Sequence, residues 1–160
     1  MLNMLRKIVQ EVNVAKDLKA ALGIIVLRVR EAMNSQVCSV YLMDPETNRF
    51  VLMATEGLNK RAIGKVSMAP NEGLVGLVGT REEPLNLEDA ANHPRYLYFP
   101  ETGEKRYASF LGAPIIHHRR VLGVLVIQQK ERRQFDEGEE AFLVTMSAQL
   151  AGVIAHAEAT

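Results

Sequence analysis

Apolar residues recur at helical spacing near the start of the chain. A first series runs from Leu5 to Val12 and a second continues to Met33, with members three and four positions apart. Asp17 stands before the second series and is a residue type that caps helix N-termini. The pattern predicts N-terminal helical structure, either as two helices or as one helix with a break near residues 13–16.

A C-terminal helix is predicted to begin at Asp136, because Glu139 follows three positions later and such a pair forms a capping box. Its apolar residues form a seam two heptads long: Leu143, Met146, Leu150, Val153 and Ala157. The N-terminal helices carry a second apolar series: Leu18, Leu22, Ile25 and Val29. Two interpretations stay open, a cover for a sheet and a homodimer bundle, and a helix that is apolar on more than one side can serve both.

Short apolar stretches between the terminal helices predict an antiparallel sheet. Two of them flank the turn DPETN, and two more flank the basic tip HHRR, which predicts two hairpins. The stretch VLGVLVIQQ is apolar almost throughout, which is typical of a strand covered on both faces. The predicted strands and extended segments are Val37–Met43, Phe50–Thr55, Val66–Met68, Pro84–Leu87, Phe110–Ile116 and Val121–Gln128.

Three glycines, Gly73, Gly76 and Gly79, follow one another at three-residue intervals. This spacing fits neither a P-loop nor a dinucleotide-binding fingerprint, which need other glycine intervals. It fits one face of a helix, with Asn71 as the N-cap. Because each glycine weakens a helix by roughly 1 kcal/mol relative to alanine, the bare stripe needs a reason. We expect close packing against the sheet, with direct contact to a ligand as the alternative.

Residues 88–107 show no clean period, yet they hold a large share of the aromatic residues. A long loop inside a compact domain is usually either functional or disordered. The aromatic content argues against disorder. We therefore predict that this segment forms a lid or a wall over a cavity.

The composition narrows the function. With 160 residues the chain is expected to form one domain, and 48% apolar and 24% charged residues are ordinary for a soluble globular protein. The 19 basic and 19 acidic residues cancel, which argues against nucleic acid or an anionic membrane as the main partner. The N-terminus lacks the apolar run of a signal peptide, and the longest apolar stretch, Ala20–Leu27, is too short to span a bilayer. These features predict a cytoplasmic protein.

The single cysteine, Cys38, excludes an intramolecular disulfide and a cysteine-based metal cluster. Within a predicted strand, this thiol is expected to be a small core residue. His117 and His118 lie in a hairpin tip, where we expect adjacent side chains to point apart, so a solvated turn is favoured over a metal site. His93 either contacts a ligand or packs its loop, and His156 is expected to be solvated.

Six segments resemble the GAF domain, a small-molecule sensor module, in the right order and over nearly the whole chain. They are CSVYLMD, LMATEGL, NEGLVGLVG, EPLNLEDA, SFLGAPII and VLGVLVIQ. The resemblance implies an α+β fold with a central antiparallel sheet of about six strands, the N- and C-terminal helices on one face and a ligand cap of loops and short helix on the other. It implies a single GAF domain over residues 1–160, with N-terminal helices (1–33), sheet and cap (37–130) and a C-terminal helix (136–157).

Further segments narrow this resemblance to the N-terminal sensor domains of nitrogen-type phosphoenolpyruvate–protein phosphotransferases. They include MLRKIVQEV, PLNLEDAANHP, FPETGE and FLVTMSAQLA. The resemblance implies a domain excised from a longer phosphotransferase that it regulates, with glutamine or 2-oxoglutarate as the suspected effector. It also implies a phosphocarrier protein as the partner of the parent's catalytic part, Mg²⁺ only in that downstream region, and no cofactor in this domain. None of the four histidines stands in a phosphotransfer context, so this stretch alone is expected not to catalyse a reaction.

The chain departs from the family pattern at one point. Many GAF domains carry Arg-Ser directly before the Phe-Leu of the fifth strand, whereas this chain has Ala108-Ser109 there. Arg106 lies two positions earlier, which on a strand is the same face but about 7 Å away. We predict that Arg106 holds a ligand carboxylate bidentately and that Asp89 pairs an α-ammonium group. The full set of candidate ligand-binding residues is Asn86, Asp89, Tyr96, Tyr98, Phe99, Arg106, Tyr107 and Phe110.

Two other functions remain as alternatives. The first is a ligand-free dimerisation or scaffold module whose pocket is filled by aromatic side chains. The second is an enzyme similar to the GAF-type methionine sulfoxide reductases, which use several cysteines. With one thiol no intramolecular resolving partner exists, so the enzyme is disfavoured.

Overall fold

The computed structural model describes residues 2–103 and 107–159; of residue 2 it describes the backbone alone. Four α-helices and six strands follow one another along the described residues. In chain order they are α1 (Leu2–Asn13), α2 (Leu18–Met33), β1 (Val37–Asp44), β2 (Arg49–Glu56), β3 (Ser67–Met68), α3 (Gly73–Arg81), β4 (Leu85–Leu87), β5 (Ser109–His117), β6 (Arg120–Gln129) and α4 (Glu137–Ala159). Single 3₁₀ turns stand at Lys60–Ala62, Ala90–Asn92 and Pro100–Thr102. The elements occur in the predicted order, and their ends differ from the prediction by one or two residues.

All six strands belong to one antiparallel sheet in the order β3-β2-β1-β6-β5-β4. β6 lies between β1 and β5, and an apolar core covers each of its two faces, as its apolar sequence predicted. Leu125 and Ile127 face the terminal helices, whereas Val124 and Val126 face the opposite side. This alternation divides the interior into two apolar cores, one on each face of the sheet.

The layer behind the sheet consists of α1, α2 and α4. Leu22 and Ile25 of α2 are buried together with Leu143, Met146 and Leu150 of α4 in the core that lies against the sheet. The predicted seam therefore covers the sheet with its central residues.

Two helix starts follow the predicted capping chemistry. Asp17 Oδ1 accepts a hydrogen bond from the backbone N–H of Ala20 at 2.8 Å, so α2 is a helix separate from α1. At α4, the N–H of Glu139 donates to Asp136 Oδ1 at 2.8 Å, and Glu139 Oε1 accepts from the N–H of Asp136 at 2.9 Å. These reciprocal bonds are the predicted capping box.

The glycine stripe of α3 serves close packing, which confirms the favoured interpretation. A Cβ atom at Gly76 would lie 2.6 Å from the carbonyl oxygen of Ala69. A Cβ atom at Gly79 would overlap the ring of Phe50. Bare glycines therefore let α3 lie directly against β2 and the loop that precedes the helix.

The predicted N-cap of α3 is wrong. Glu72, not Asn71, occupies the cap position, and its side chain makes no hydrogen bond to the first turn of the helix. The Glu72 carboxylate instead accepts a hydrogen bond from the N–H of Ala69 at 2.9 Å. The loop before the helix thus fixes the side chain that could have capped it.

The hairpin between β5 and β6 turns at His118 and Arg119, both in the left-handed region with φ of 49° and 66°. The rings of His117 and His118 stack with their centroids 3.9 Å apart. The prediction that these side chains point apart is therefore wrong, because the left-handed backbone at His118 turns its side chain back towards His117. The turn itself is at the surface, as expected.

Candidate ligand-binding cavity

A small cavity lies between the front of the sheet and residues 88–103, a segment called the cap from here on. Its walls are formed by Tyr41, Met68, Leu74, Val75, Tyr96, Leu97, Phe99, Phe110, Val126 and Gln128. The volume is about 30 Å³, which is room for about one water molecule. Pockets for small organic ligands enclose about 300–1,000 Å³, so this cavity is too small for such a ligand in the structure.

Three of the eight candidate residues come together at this cavity. Tyr96 and Phe99 belong to the cap, and Phe110 belongs to β5. They pack in the apolar core on the front face of the sheet. The structure thus brings this part of the candidate set together around one cavity.

Two polar candidates lie elsewhere and already have partners. Asn86 on β4 donates from Nδ2 to the carbonyl oxygen of Phe135 at 2.8 Å and accepts at Oδ1 from the Phe135 N–H at 3.2 Å. Asp89 accepts a hydrogen bond from Asn92 and lies 3.6 Å from the guanidinium of Arg132. Neither side chain lines the cavity, so their roles as ligand contacts stay predictions.

Of the remaining three candidates, Tyr98 and Tyr107 do not line the cavity either. Tyr98 is 38% exposed at the surface of the cap. Tyr107 is buried in a separate small cluster with Val37 and Leu58. Arg106 lies outside the described residues.

Gln128 is a cavity residue that the sequence interpretation missed. It lies on β6 opposite Phe110 and is 9% exposed. Its amide carries both donors and an acceptor, which can orient a polar ligand in an apolar surround. The available signal was its position as a polar residue at the end of an otherwise apolar strand.

Arg95 was missed as well. Nη2 of its guanidinium is buried, and no described residue accepts a hydrogen bond from it. The backbone N–H of Arg95 donates to Nδ1 of His93 at 3.0 Å, and the N–H of Tyr96 donates to the carbonyl oxygen of His93 at 3.0 Å. These bonds form a tight turn just before the cap residues that line the cavity.

The first turn of α3 forms another wall of the cavity through Leu74 and Val75. No described side chain caps this turn, because the Glu72 carboxylate is held by the Ala69 N–H and lies 3.3 Å from the guanidinium of Arg49. The N-terminal end of a helix carries a partial positive charge. The cavity is therefore bounded by a positive helix end.

Cys38 and the cap histidine have structural roles in the described part of the chain. Burial raises the pKa of the Cys38 thiol far above its usual value, so the thiol stays protonated, as expected of a core residue. His93 orders its turn through the Arg95 N–H, which fits loop packing. Among the described residues, no group of three or more His, Cys, Asp or Glu side chains could hold a metal ion.

A larger concavity, the helical groove, lies on the opposite side of the domain. It has a volume of about 540 Å³ and runs between the α1–α2 connection and the C-terminal half of α4. Apolar side chains such as Val12, Ile25 and Leu150 line it, and Lys16 and His156 contribute polar edges. It contains none of the candidate ligand-binding residues.

The family model of the GAF domain matches residues 17–154. This chain is a GAF domain. It is 49% identical over its whole length to a phosphoenolpyruvate-dependent phosphotransferase system protein of Salmonella typhimurium. This chain spans 21% of the length of that relative.

Solved structures agree with this assignment. The GAF domain from a phosphoenolpyruvate-protein phosphotransferase of Coxiella burnetii is 52% identical, with a TM-score of 0.95 over 99% of this chain and 95% of that one. The predicted α+β fold, a six-stranded antiparallel sheet with terminal helices behind it, is confirmed. The free methionine-R-sulfoxide reductase of Neisseria meningitidis, solved with its substrate, is 20% identical. Its TM-score is 0.84 over 98% of this chain and 89% of that one, and this similarity is evidence for a shared fold only.

By length and composition alone, α4 of this GAF domain could cross a membrane, and 39% of its most apolar window is buried. That is weak evidence for a span. Leu143, Met146, Leu150 and Ile154 are fully buried in the core behind the sheet. α4 is therefore apolar because it packs in the core.

Proposed function

We propose that this GAF domain senses a small metabolite and regulates a phosphoenolpyruvate-dependent protein phosphotransferase of the nitrogen phosphotransferase system. The observation that carries the proposal is the 49% identity along the entire chain to a phosphotransferase system protein about five times as long. The parent protein would act in the cytoplasm on a phosphocarrier protein. Its Mg²⁺ would belong to the downstream catalytic region, and the GAF domain itself would need no cofactor.

The effector in this proposal is an amino acid or a 2-oxo acid, with glutamine and 2-oxoglutarate as the first candidates. A cavity of about 30 Å³ is too small for either molecule, so binding requires the cap to move. Contacts such as the hydrogen bond from the Asn59 N–H to the carbonyl oxygen of Thr102, at 2.7 Å, hold the cap in its present position. A ligand that binds only the open arrangement shifts the population towards it, and that shift is the signal passed to the parent.

The proposed site combines apolar walls with a few polar groups, which is how ligand pockets are usually built. Tyr96, Phe99 and Phe110 supply the aromatic wall, and Gln128 supplies an amide. Among the remaining candidates, Asn86, Asp89, Tyr98 and Tyr107 would contact the ligand only after the cap has moved, and Arg106 would hold its carboxylate. Asn86 and Asp89 would then exchange their present partners for the ligand.

A thermal-shift screen of the 160-residue chain tests the proposal. The compounds are L-glutamine, 2-oxoglutarate, other amino acids, phosphoenolpyruvate and cyclic nucleotides. A ligand at a hundred times its Kd adds about 2.7 kcal/mol of stability, which raises the Tm of a domain of this size by several degrees. A selective rise with one class of compound supports sensing, and a flat response to all of them contradicts it.

Arg106→Ala should remove the response to carboxylates without unfolding the domain, and unchanged affinity would contradict the role of Arg106.

A second candidate function is a homodimerisation module that binds no ligand. Val14, in the α1–α2 connection, is 83% exposed and lies beside the helical groove, whose lining includes its neighbours Asn13 and Ala15. Lys16 and Asp17 put both charge signs on the same rim. In a two-fold dimer the same patch meets itself, so Val14 of each copy would enter the groove of the other, with Lys16 facing Asp17.

Light scattering after size exclusion tests the dimer. Val14→Asp should shift the protein to a monomer, because it places a charge in the apolar groove of the partner. Met53→Asp, at an exposed apolar position on β2, is the matched control and should leave the mass unchanged. A wild-type monomer at high protein concentration would contradict this second function.

A further inference from the structure

We infer that Arg95 is an anion receptor of the cap, a residue that binds a carboxylate of the ligand beside the predicted contact from Arg106. This inference rests on the proposed sensing function and names the group that would recognise its ligand. Nothing in the family pattern of the sequence points to this residue. The inference comes from the state of its guanidinium in the structure.

The described arginines fall into two groups. One group pairs with carboxylates of the chain: Arg28, Arg30, Arg49, Arg120, Arg132 and Arg133. The second group has no such pair among the described residues, and its other members are exposed to solvent: Arg6, Arg61, Arg81 and Arg119. Arg95 belongs to the second group but is half-buried, and its Nη2 has neither solvent nor a described acceptor.

This state of Arg95 calls for an acceptor. An exposed guanidinium is satisfied by water, whereas a buried donor without a partner loses its hydration and gains nothing in return. The penalty is larger for a charged group than for a neutral one. A buried polar atom left unpaired in a native structure calls for an explanation, and an ion or ligand that binds there is one such explanation.

Arg95 does not itself line the cavity but directly precedes two residues that do, so it suits a receptor for a ligand that enters when the cap moves. The tight turn around His93 fixes its backbone, and the next two residues, Tyr96 and Leu97, line the cavity. The nearby carboxylate of Asp89 is already engaged by Asn92 and Arg132. The cap therefore holds a charge that the described part of the domain does not neutralise.

A carboxylate matches this charge in both shape and sign. The planar guanidinium presents its N–H donors as a fork that fits two carboxylate oxygens side by side. Amino acids and 2-oxo acids both carry such a group. Phosphate presents similar oxygens, so the experiment includes it as a separate probe.

Isothermal titration of the 160-residue chain and its Arg95→Gln and Arg61→Gln variants tests the inference. The probes are L-glutamine, 2-oxoglutarate, L-glutaminamide, which lacks the carboxylate, and inorganic phosphate. Arg61→Gln removes the same charge from an exposed arginine in a neighbouring turn and is the matched control. We expect Arg95→Gln to weaken binding of the carboxylate probe on the order of ten- to a hundredfold, and Arg61→Gln to leave it unchanged.

The outcomes separate this inference from the sensing function. Three outcomes would each overturn the role of Arg95 and leave sensing intact. They are equal affinity of the wild type and Arg95→Gln for the carboxylate probe, an equal loss of affinity in Arg61→Gln, and L-glutaminamide binding as tightly as L-glutamine. Tight binding of phosphate with none of the carboxylates would overturn the ligand class. Failure of every probe to bind the wild type would overturn both. If Arg95→Gln does not fold, Arg95→Lys keeps the charge without the fork and should show a partial loss, whereas full affinity would again contradict the inference.

Discussion

The ring of Phe50 occupies the space that a side chain at position 79 would need, so Gly79 holds α3 directly against β2. Phe50 is itself buried in the front core, and its neighbours leave little room for the ring to move. The contact fixes the position of α3, whose first turn forms part of the cavity wall. Stability and site geometry thus depend on the same glycine.

Gly79→Ala should destabilise the domain by about 1–3 kcal/mol, because the added methyl group forces the buried ring or the helix to shift. Gly152→Ala is the matched control in α4, since a Cβ atom there meets no other atom within 4 Å. It should stabilise the domain by about 0.5–1 kcal/mol through helix propensity alone. Urea unfolding of the three proteins measures both changes, and equal stability of the two variants would contradict the packing role of Gly79.

The sequence predicted best those elements whose signal is local. The apolar run VLGVLVIQQ predicted that β6 is covered on both faces, and the pair Asp136 and Glu139 predicted the start of α4. Both signals depend on residues a few positions apart, which share one element. Such local patterns predict structure well because local preferences in natural sequences agree with the final fold.

The candidate site was predicted only in part, for the opposite reason. The cap has no period, so composition could not tell that Tyr96 and Phe99 turn inwards while Tyr98 faces solvent. Asn86 looked like a pocket residue, yet its partner Phe135 lies 49 positions further along the chain. Contacts of that range depend on the assembled fold, and no pattern in the neighbouring residues encodes them.

Asn86→Ala should destabilise the domain by about 1–3 kcal/mol, because it removes both hydrogen bonds to the Phe135 backbone and leaves those groups without a partner. The loss should be local to the approach to α4. Amide hydrogen exchange should therefore speed up at Phe135 and leave the N–H of Ala20, at the start of α2, unchanged. Unaltered exchange at Phe135 would show that this pair does not hold the loop.

Stability should fall with acid through Glu139. Its hydrogen bonds from Arg133, at 3.0 and 2.8 Å, lower the pKa of Glu139 below the usual value of 4.5, because they favour the charged form. A carboxyl whose pKa is lower in the folded state adds stability above its unfolded pKa and loses that contribution as the pH falls through its folded pKa. The wild type should therefore lose stability from about pH 4.5 downwards.

Glu139→Gln tests this pH dependence. The variant should be less stable than the wild type at pH 7, and the difference should shrink as the pH falls below 4.5, where Glu139 becomes protonated. Glu137→Gln removes an exposed charge from the same turn and should keep the wild-type slope. A constant difference between the wild type and Glu139→Gln over the whole range would contradict the link to Arg133.

Gln128 and Gln129 are adjacent on β6 but differ in what they contact. Gln128 lines the cavity. Gln129 donates from Nε2 to the carbonyl oxygen of Asn34 at 3.1 Å and accepts at Oε1 from Arg133 at 3.0 Å, so it ties the strand to the end of α2 and to the loop before α4. The pair therefore offers a matched test that separates ligand binding from folding.

Gln128→Leu should abolish the Tm rise that the active compound of the thermal-shift screen gives the wild type, because an apolar side chain cannot orient a polar ligand. Gln129→Leu should lower the stability of the free domain by about 1–3 kcal/mol through the lost hydrogen bonds, and the compound should still raise its Tm. A full response in Gln128→Leu would place the ligand outside this cavity. A lost response in both variants would mean that binding follows the stability of β6 as a whole, and the cavity wall would then have no specific part in recognition.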